Sequence, residues 1–147
     1  MHSACRRHQP DDDYPTAIHD VEEALAVLAG LAATYPDACY FALAMDRQHN
    51  GRLAIPIDGP GPGGHSDIEE LARMLTGILP NQDDGAACLI LASRREDISF
   101  TVDDARCWQR LREHCRTTSF ELLDWILVGS RDYRSMSETC GPGWPNL

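Results

Sequence analysis

The stretch FELLDWILVG, residues 120 to 129, is apolar at both strand parities. A strand with one wet face alternates apolar and polar residues, so this one belongs inside a sheet covered on both sides. Covering elements are legible elsewhere in the chain. DVEEALAVLAGLAATY, from Asp20, places Val21, Leu25, Leu28 and Leu31 or Ala32 on one helical stripe, with Asp20 and Glu23 spaced as a capping box and Pro36 as a stop. DIEELARMLTGIL, from Asp67, is opened by Ser66 with Glu69 and turns Ile68, Leu71, Leu75 and Ile78 to the core before Pro80. A third helix follows Thr101, with Asp104 at its third position as a capping partner and Ala105, Trp108, Leu111 and Cys115 as its inward stripe.

Strands fill the intervals. CYFALAMD reads as a buried strand, RQHNG as a turn and RLAIPID as the hairpin partner, because Asn50-Gly51 supplies the positive φ angles of a tight hairpin. AACLILA is a further strand, and RDYRSM holds a short last one. The order α-β-β-α-β-α-β-β predicts an α/β fold, a single domain with a mixed β-sheet, a hairpin and flanking helices in two or three layers. A chain of 147 residues is long enough for one core without disulfide support. Residues 1 to 15 are expected to form a disordered N-terminal tail, 16 to 136 the domain and 137 to 147 a C-terminal tail. The segment DGPGPGGHS is a flexible connection, since its glycine spacing fits neither a P-loop nor a dinucleotide fingerprint.

Charge narrows the function classes. The formal net charge is -10 and all 13 basic residues are arginine, which argues against a general binder of nucleic acid or anionic membrane. No apolar run approaches the roughly 20 residues of a membrane span. The first residues lack the apolar centre of a signal peptide, so a cytoplasmic location is expected. The 6 cysteines include no C-x-x-C pair and read as buried free thiols. His2, Cys5 and His8 could chelate an ion but have no evident fourth ligand. Arg106, Arg110, Arg112 and Arg116 lie close to Asp103, Glu113 and Glu121 and form a salt-bridged, solvated face. Trp108 and Trp125 are core residues, and Asp124, on a face with Phe120, Leu122, Ile126 and Val128, must have a partner if buried.

The segments FALAMDRQHNGRL, CLILA and LLDWILVGSRDYRSM, with a helix after the first and a loop and helix after the second, resemble the RadC-type branch of the JAB/MPN metalloprotease-like superfamily. The likeness covers most of residues 37 to 136, and Asp46, Asp124, Val128, Gly129 and Ser135 match its pattern. It implies a JAB/MPN-like fold. In active members it also implies a zinc site: two histidines separated by one residue after the third core strand, an aspartate at the start of the next helix, a nearby serine, and a glutamate on an earlier element. Neutral imidazoles and the aspartate hold the ion, and the glutamate takes a proton from its bound water. Here Ser93 and Arg95 stand at the histidine positions, Asp104 or Asp103 at the aspartate, Thr101 at the nearest hydroxyl, and Ala38 with Asp37 beside it at the glutamate.

Arginine keeps its proton and offers a metal no lone pair, and Arg94 and Arg95 add positive charge where a dication would sit. The resemblance therefore implies a pseudoenzyme: a noncatalytic JAB/RadC-like interaction or scaffold module with no catalytic residues, no metal and no cofactor. Its expected partner is a protein of unstated identity. The residues of the degenerate site or partner contact are Asp37, Ser93, Arg94, Arg95, Thr101, Asp103, Asp104 and Asp124. The alternative is a hydrolase or deaminase-like enzyme with a relocated site, metal-dependent or not, built from Asp37, Asp103, Asp104 and a histidine or cysteine. His65 and His114 stand in the Gly-rich loop and near the far end of the third helix. Carboxylates left without a cation repel one another, so Arg95, or failing that Arg94, is expected to reach Asp104, Asp103 or Asp37.

Overall fold

A computed structural model describes residues 17–58, 65–79 and 86–141. The elements run α1 (Val21–Thr34), β1 (Ala38–Met45), β2 (Gly51–Asp58), α2 (His65–Ile78), β3 (Cys88–Arg94), α3 (Val102–Arg116), β4 (Glu121–Val128), β5 (Tyr133–Ser135) and α4 (Met136–Cys140). The expected order is present, with α4 added at its end. The strands form one five-stranded mixed sheet in the order β2-β1-β3-β4-β5. β1 is antiparallel to both β2 and β3, β3 is parallel to β4 across α3, and β5 is antiparallel to β4. Pro56 sits in the edge strand β2, where a missing amide donor interrupts no second ladder.

Both faces of the sheet are covered, which decides for three layers. Phe41, Leu43, Met45, Ile90 and Ala92 pack with Val21, Ala24, Leu28 and Leu31 of α1. The opposite parity, including Tyr40, Ala42, Leu89 and Leu91, packs with α2 and α3. In β4 the pairing with β3 shifts register between Leu89 and Ile90, which face Leu122 and Asp124. This bulge changes parity, so Phe120 and Leu122 lie on the α2/α3 side while Ile126 and Val128 lie on the α1 side. The single face expected to carry all four with Asp124 is corrected accordingly.

The hairpin turn also differs from expectation. Gly51 opens β2, Asn50 before it forms an isolated bridge to Ala17, and the left-handed residue is His49, with φ 65. The Asp46 side chain organises the turn: its Oδ1 accepts from Gln48 N and Asn50 N, each at 2.9 Å, and its carbonyl accepts from His49 N at 2.9 Å. An aspartate that bonds its own following backbone selects the turn more strongly than a downstream Asn-Gly pair. In α1, Asp20 accepts from Glu23 N at 2.9 Å, while Glu23 reaches His19 N at 2.6 Å, one residue before the expected partner. In α2 the inward stripe ends on Leu79, and Ile78 is 49% exposed. Ser66, expected to open α2, stands inside it, since the helix starts at His65, and its side chain lies outside the described residues; Glu69 receives Arg110 from α3 at 3.0 and 2.9 Å.

Residues 137 to 140, expected in a tail, complete α4. Ser135 caps it by accepting from Glu138 N at 3.1 Å, and Trp108 Nε1 of α3 donates to Gly141 O at 3.0 Å beyond its end. Asp124, fully buried, joins this unit to β4: Ser135 Oγ donates to its Oδ2 at 2.5 Å and Ser137 N to its Oδ1 at 3.0 Å. The expected N-terminal tail, residues 1 to 15 with His2, Cys5 and His8, lies outside the described residues, as do most of the Gly-rich connection and Trp144. No helix among the described residues is long and apolar enough to cross a membrane.

Two predictions follow from this packing. Asp124→Ala strands the Ser135 hydroxyl and the Ser137 amide, so urea unfolding should show a loss of about 2–4 kcal/mol, and Asp124→Asn a smaller one. Among the cysteines, Cys88, Cys107 and Cys115 are buried, Cys39 is half-buried and Cys140 exposed. Burial pushes the Cys88 and Cys107 thiols up to about 12 and Cys115 to about 11, from an ordinary 9.0. Alkylation of the native chain at neutral pH, mapped by mass spectrometry, should therefore spare these three thiols. Their folded values exceed the unfolded one, so the stability they contribute is whole below about pH 9 and is lost as pH rises through 11 to 12.

Candidate functional site

β3 ends in Ser93 and Arg94, and Arg95 leaves the sheet with its N–H still bonded to Val128 O at 2.9 Å. The following loop is held to β5 by Arg134 Nε, which donates to Ile98 O at 2.8 Å. It ends at Thr101, the N-cap of α3, whose side chain accepts from Asp104 N at 3.0 Å while Asp104 Oδ2 accepts from Thr101 N at 3.1 Å. That reciprocal box is the one the spacing predicts, and it fixes where the Asp104 carboxylate points.

Asp104 is 1% exposed, and a carboxylate that deep requires partners. Arg95 supplies them, with Nη2 donating to Oδ1 at 2.7 Å and Nη1 to Oδ2 at 3.3 Å. The guanidinium carbon also lies 5.8 Å from the centre of the Trp125 ring, and Trp125 Nε1 donates to the buried Ser93 Oγ at 2.9 Å. Ser93, Arg95, Thr101 and Asp104 thus form one connected unit around Trp125, with the expected arginine on the expected carboxylate.

The other candidates lie apart from it. Arg94 Nη1 donates to Pro36 O at 2.9 Å and its guanidinium stacks 5.7 Å from the Phe41 ring, so it reaches the backbone beside Asp37 rather than a carboxylate. Asp37 is exposed, and Asp103, also exposed, faces Arg106 at 3.7 Å. Asp124 serves β5 and α4. His114 Nε2 lies 2.8 Å from Thr76 Oγ1 where α3 meets α2, and the His65 side chain is outside the described residues. A cleft of about 770 Å³ opens beside Arg94 and Arg95 and is also lined by Cys39, Glu96, Val128 and Ser130. It lies at the carboxyl ends of the parallel strands β3 and β4, where open α/β sheets place ligands.

The zinc that the resemblance implies does not fit this unit. Both oxygens of Asp104 accept hydrogen bonds, Ser93 Oγ accepts the indole proton, and Arg95 has no lone pair to give. At the opposite end of the sheet a different group converges that sequence reasoning missed: the nearest ligand atoms of His49, Cys88 and Glu121 all lie within 4.8 Å of one another. The signal was register. Cys88 pairs across the sheet with Met45, which precedes the His49 turn, and with Glu121, the first residue of β4.

The chain was compared with known proteins; no family model matches it, and no curated protein does.

The Arg95–Asp104 pair makes a direct prediction. Arg95 is 24% exposed at its side chain, so water screens part of its attraction, and Arg95→Ala should cost about 1–3 kcal/mol in denaturant unfolding. A double-mutant cycle with Asp104→Asn should return a coupling above about 0.5 kcal/mol. Additive single effects would mean that the two side chains merely lie near each other.

Proposed function

We propose that this chain is a noncatalytic JAB/RadC-like domain, a pseudoenzyme that acts as a protein interaction or scaffold module in the cytoplasm. One observation carries the reading: a guanidinium, Arg95, is clamped on a buried carboxylate, Asp104, at the place where the resemblance needs an imidazole and a metal. An internal cation neutralises that carboxylate and closes the position to an external one. The partner surface in this reading is the cleft beside Arg94, a half-buried residue whose neighbours Glu96 and Ser130 are open to solvent. The alternative enzyme built on Asp37, Asp103 and Asp104 has less support, since those three carboxylates have separate surroundings.

Restoring the lost ligands tests the relationship. The double variant Ser93→His/Arg95→His should bind one zinc more per chain than the parent, and Asp104→Ala in that background should abolish the gain. Affinity capture with the parent chain as bait should retain a partner that Arg94→Glu loses while both baits melt alike. No gain of zinc in the double variant, or hydrolysis of a peptide or nucleotide by the purified parent, would overturn the reading.

A further inference from the structure

We propose that His49, Cys88 and Glu121 form a binding site for a divalent ion of the zinc class, which fastens the β1–β2 turn to the first residues of β3 and β4. The site is independent of the JAB/RadC reading and lies at the other end of β3, about 23 Å along the chain from Arg95 at the usual rise per strand residue.

The ligand set is the first argument. One imidazole nitrogen, one sulfur and one carboxylate oxygen are the donors that zinc combines in proteins, and three protein ligands leave a fourth position for water. Around a tetrahedral zinc such donors stand about 3.4–3.6 Å apart. Cys88 Sγ and Glu121 Oε1 are already 3.8 Å apart, and no pair in the group exceeds 4.8 Å, so side-chain rotation closes the remainder.

The second argument comes from His49 by itself. The residue is 2% exposed, its Nδ1 is buried, and that nitrogen has no hydrogen-bond partner among the described residues. An unsatisfied buried polar atom costs about 1–3 kcal/mol, so native folds seldom leave one without a purpose. The imidazole is held there deliberately by the backbone. Its left-handed φ of 65 is set by the Asp46 turn, and its carbonyl accepts from Ile18 N at 2.9 Å, which packs the segment before α1 against the turn. Glu121 is exposed and gives an ion access from solvent. Asp46 and Glu121 both place negative charge about the Cys88 sulfur, with Arg47, exposed, opposing them.

The test uses the full chain, stripped with a chelator and titrated with Co²⁺. One cobalt per chain should bind, with a thiolate-to-cobalt band in the near ultraviolet and the visible bands of a four-coordinate site. Zinc should displace the cobalt and raise the melting temperature. Cys88→Ser should remove the thiolate band. His49→Asn, chosen because asparagine tolerates the left-handed backbone, should abolish binding. Glu121→Gln, altered at an exposed ligand, should weaken binding by about tenfold or more, since even outer-shell changes have effects of that size. Melting curves of the metal-free variants establish that each is folded, and Glu121→Gln decides the matter if the buried changes are not tolerated. The absence of any cobalt band would overturn the proposal. So would a band that survives Cys88→Ser but disappears in Cys5→Ser, which would place the ion on the N-terminal His2, Cys5 and His8.

Discussion

Coverage of the sheet on both faces is the constraint from which the rest of this structure follows. β1, β3 and β4 each present one parity to α1 and the other to α2 and α3, so a polar side chain in mid-strand has no route to water. Polar chemistry is therefore displaced to the strand ends. β3 shows this plainly: Leu89, Ile90, Leu91 and Ala92 are fully buried, while Cys88 begins the strand, Ser93 and Arg94 end it and Arg95 lies just beyond. Asp124 is the exception. It is accommodated because the β4 bulge turns it aside and because Ser135 and Ser137 bring donors to both of its oxygens.

Features governed by local chemistry were legible in the sequence, and those governed by distant contacts were not. The Thr101–Asp104 box is set by residues three apart, and it forms as the spacing predicts. The double-sided burial of β4 was equally plain in FELLDWILVG. Glu69 also meets Arg110 from another helix in a bidentate ion pair, which no local pattern announces. The turn was misplaced because Asn50-Gly51 and Asp46 are competing signals, and Asp46 forms several bonds at once. α4 did carry a signal, Ser135 followed three residues later by Glu138, and the short run of residues concealed it.

Of the candidate site, Arg95 and Asp104 were within reach of sequence reasoning because the resemblance singled out their positions and carboxylates left without a cation demand a counterion. Their pairing does not by itself make the fold stable, since desolvating two charges offsets much of their attraction. What it secures is geometry. The guanidinium lies between the Trp125 ring and the Asp104 carboxylate, and the same carboxylate holds the Thr101 amide at the start of α3. One side chain thereby sets the loop, the helix cap and the floor of the cleft together. A residue such as lysine would supply the charge without the planar fork or the stacking face.

The two ends of β3 solve opposite problems. At the Arg95 end a buried carboxylate has an internal cation, and both oxygens of Asp104 accept hydrogen bonds. At the Cys88 end ligand atoms of His49, Cys88 and Glu121 converge, the buried His49 Nδ1 has no partner among the described residues, and the Asp46 carboxylate adds negative charge about the sulfur. Charge and donor number favour an external cation at the second end for the same reasons that exclude it from the first. His49, Cys88 and Glu121 lie far apart along the chain, and only the Met45, Cys88 and Glu121 register assembles them. The Arg95–Asp104 unit and the His49, Cys88 and Glu121 group are therefore separate, and the chemistry of one end carries no information about the other.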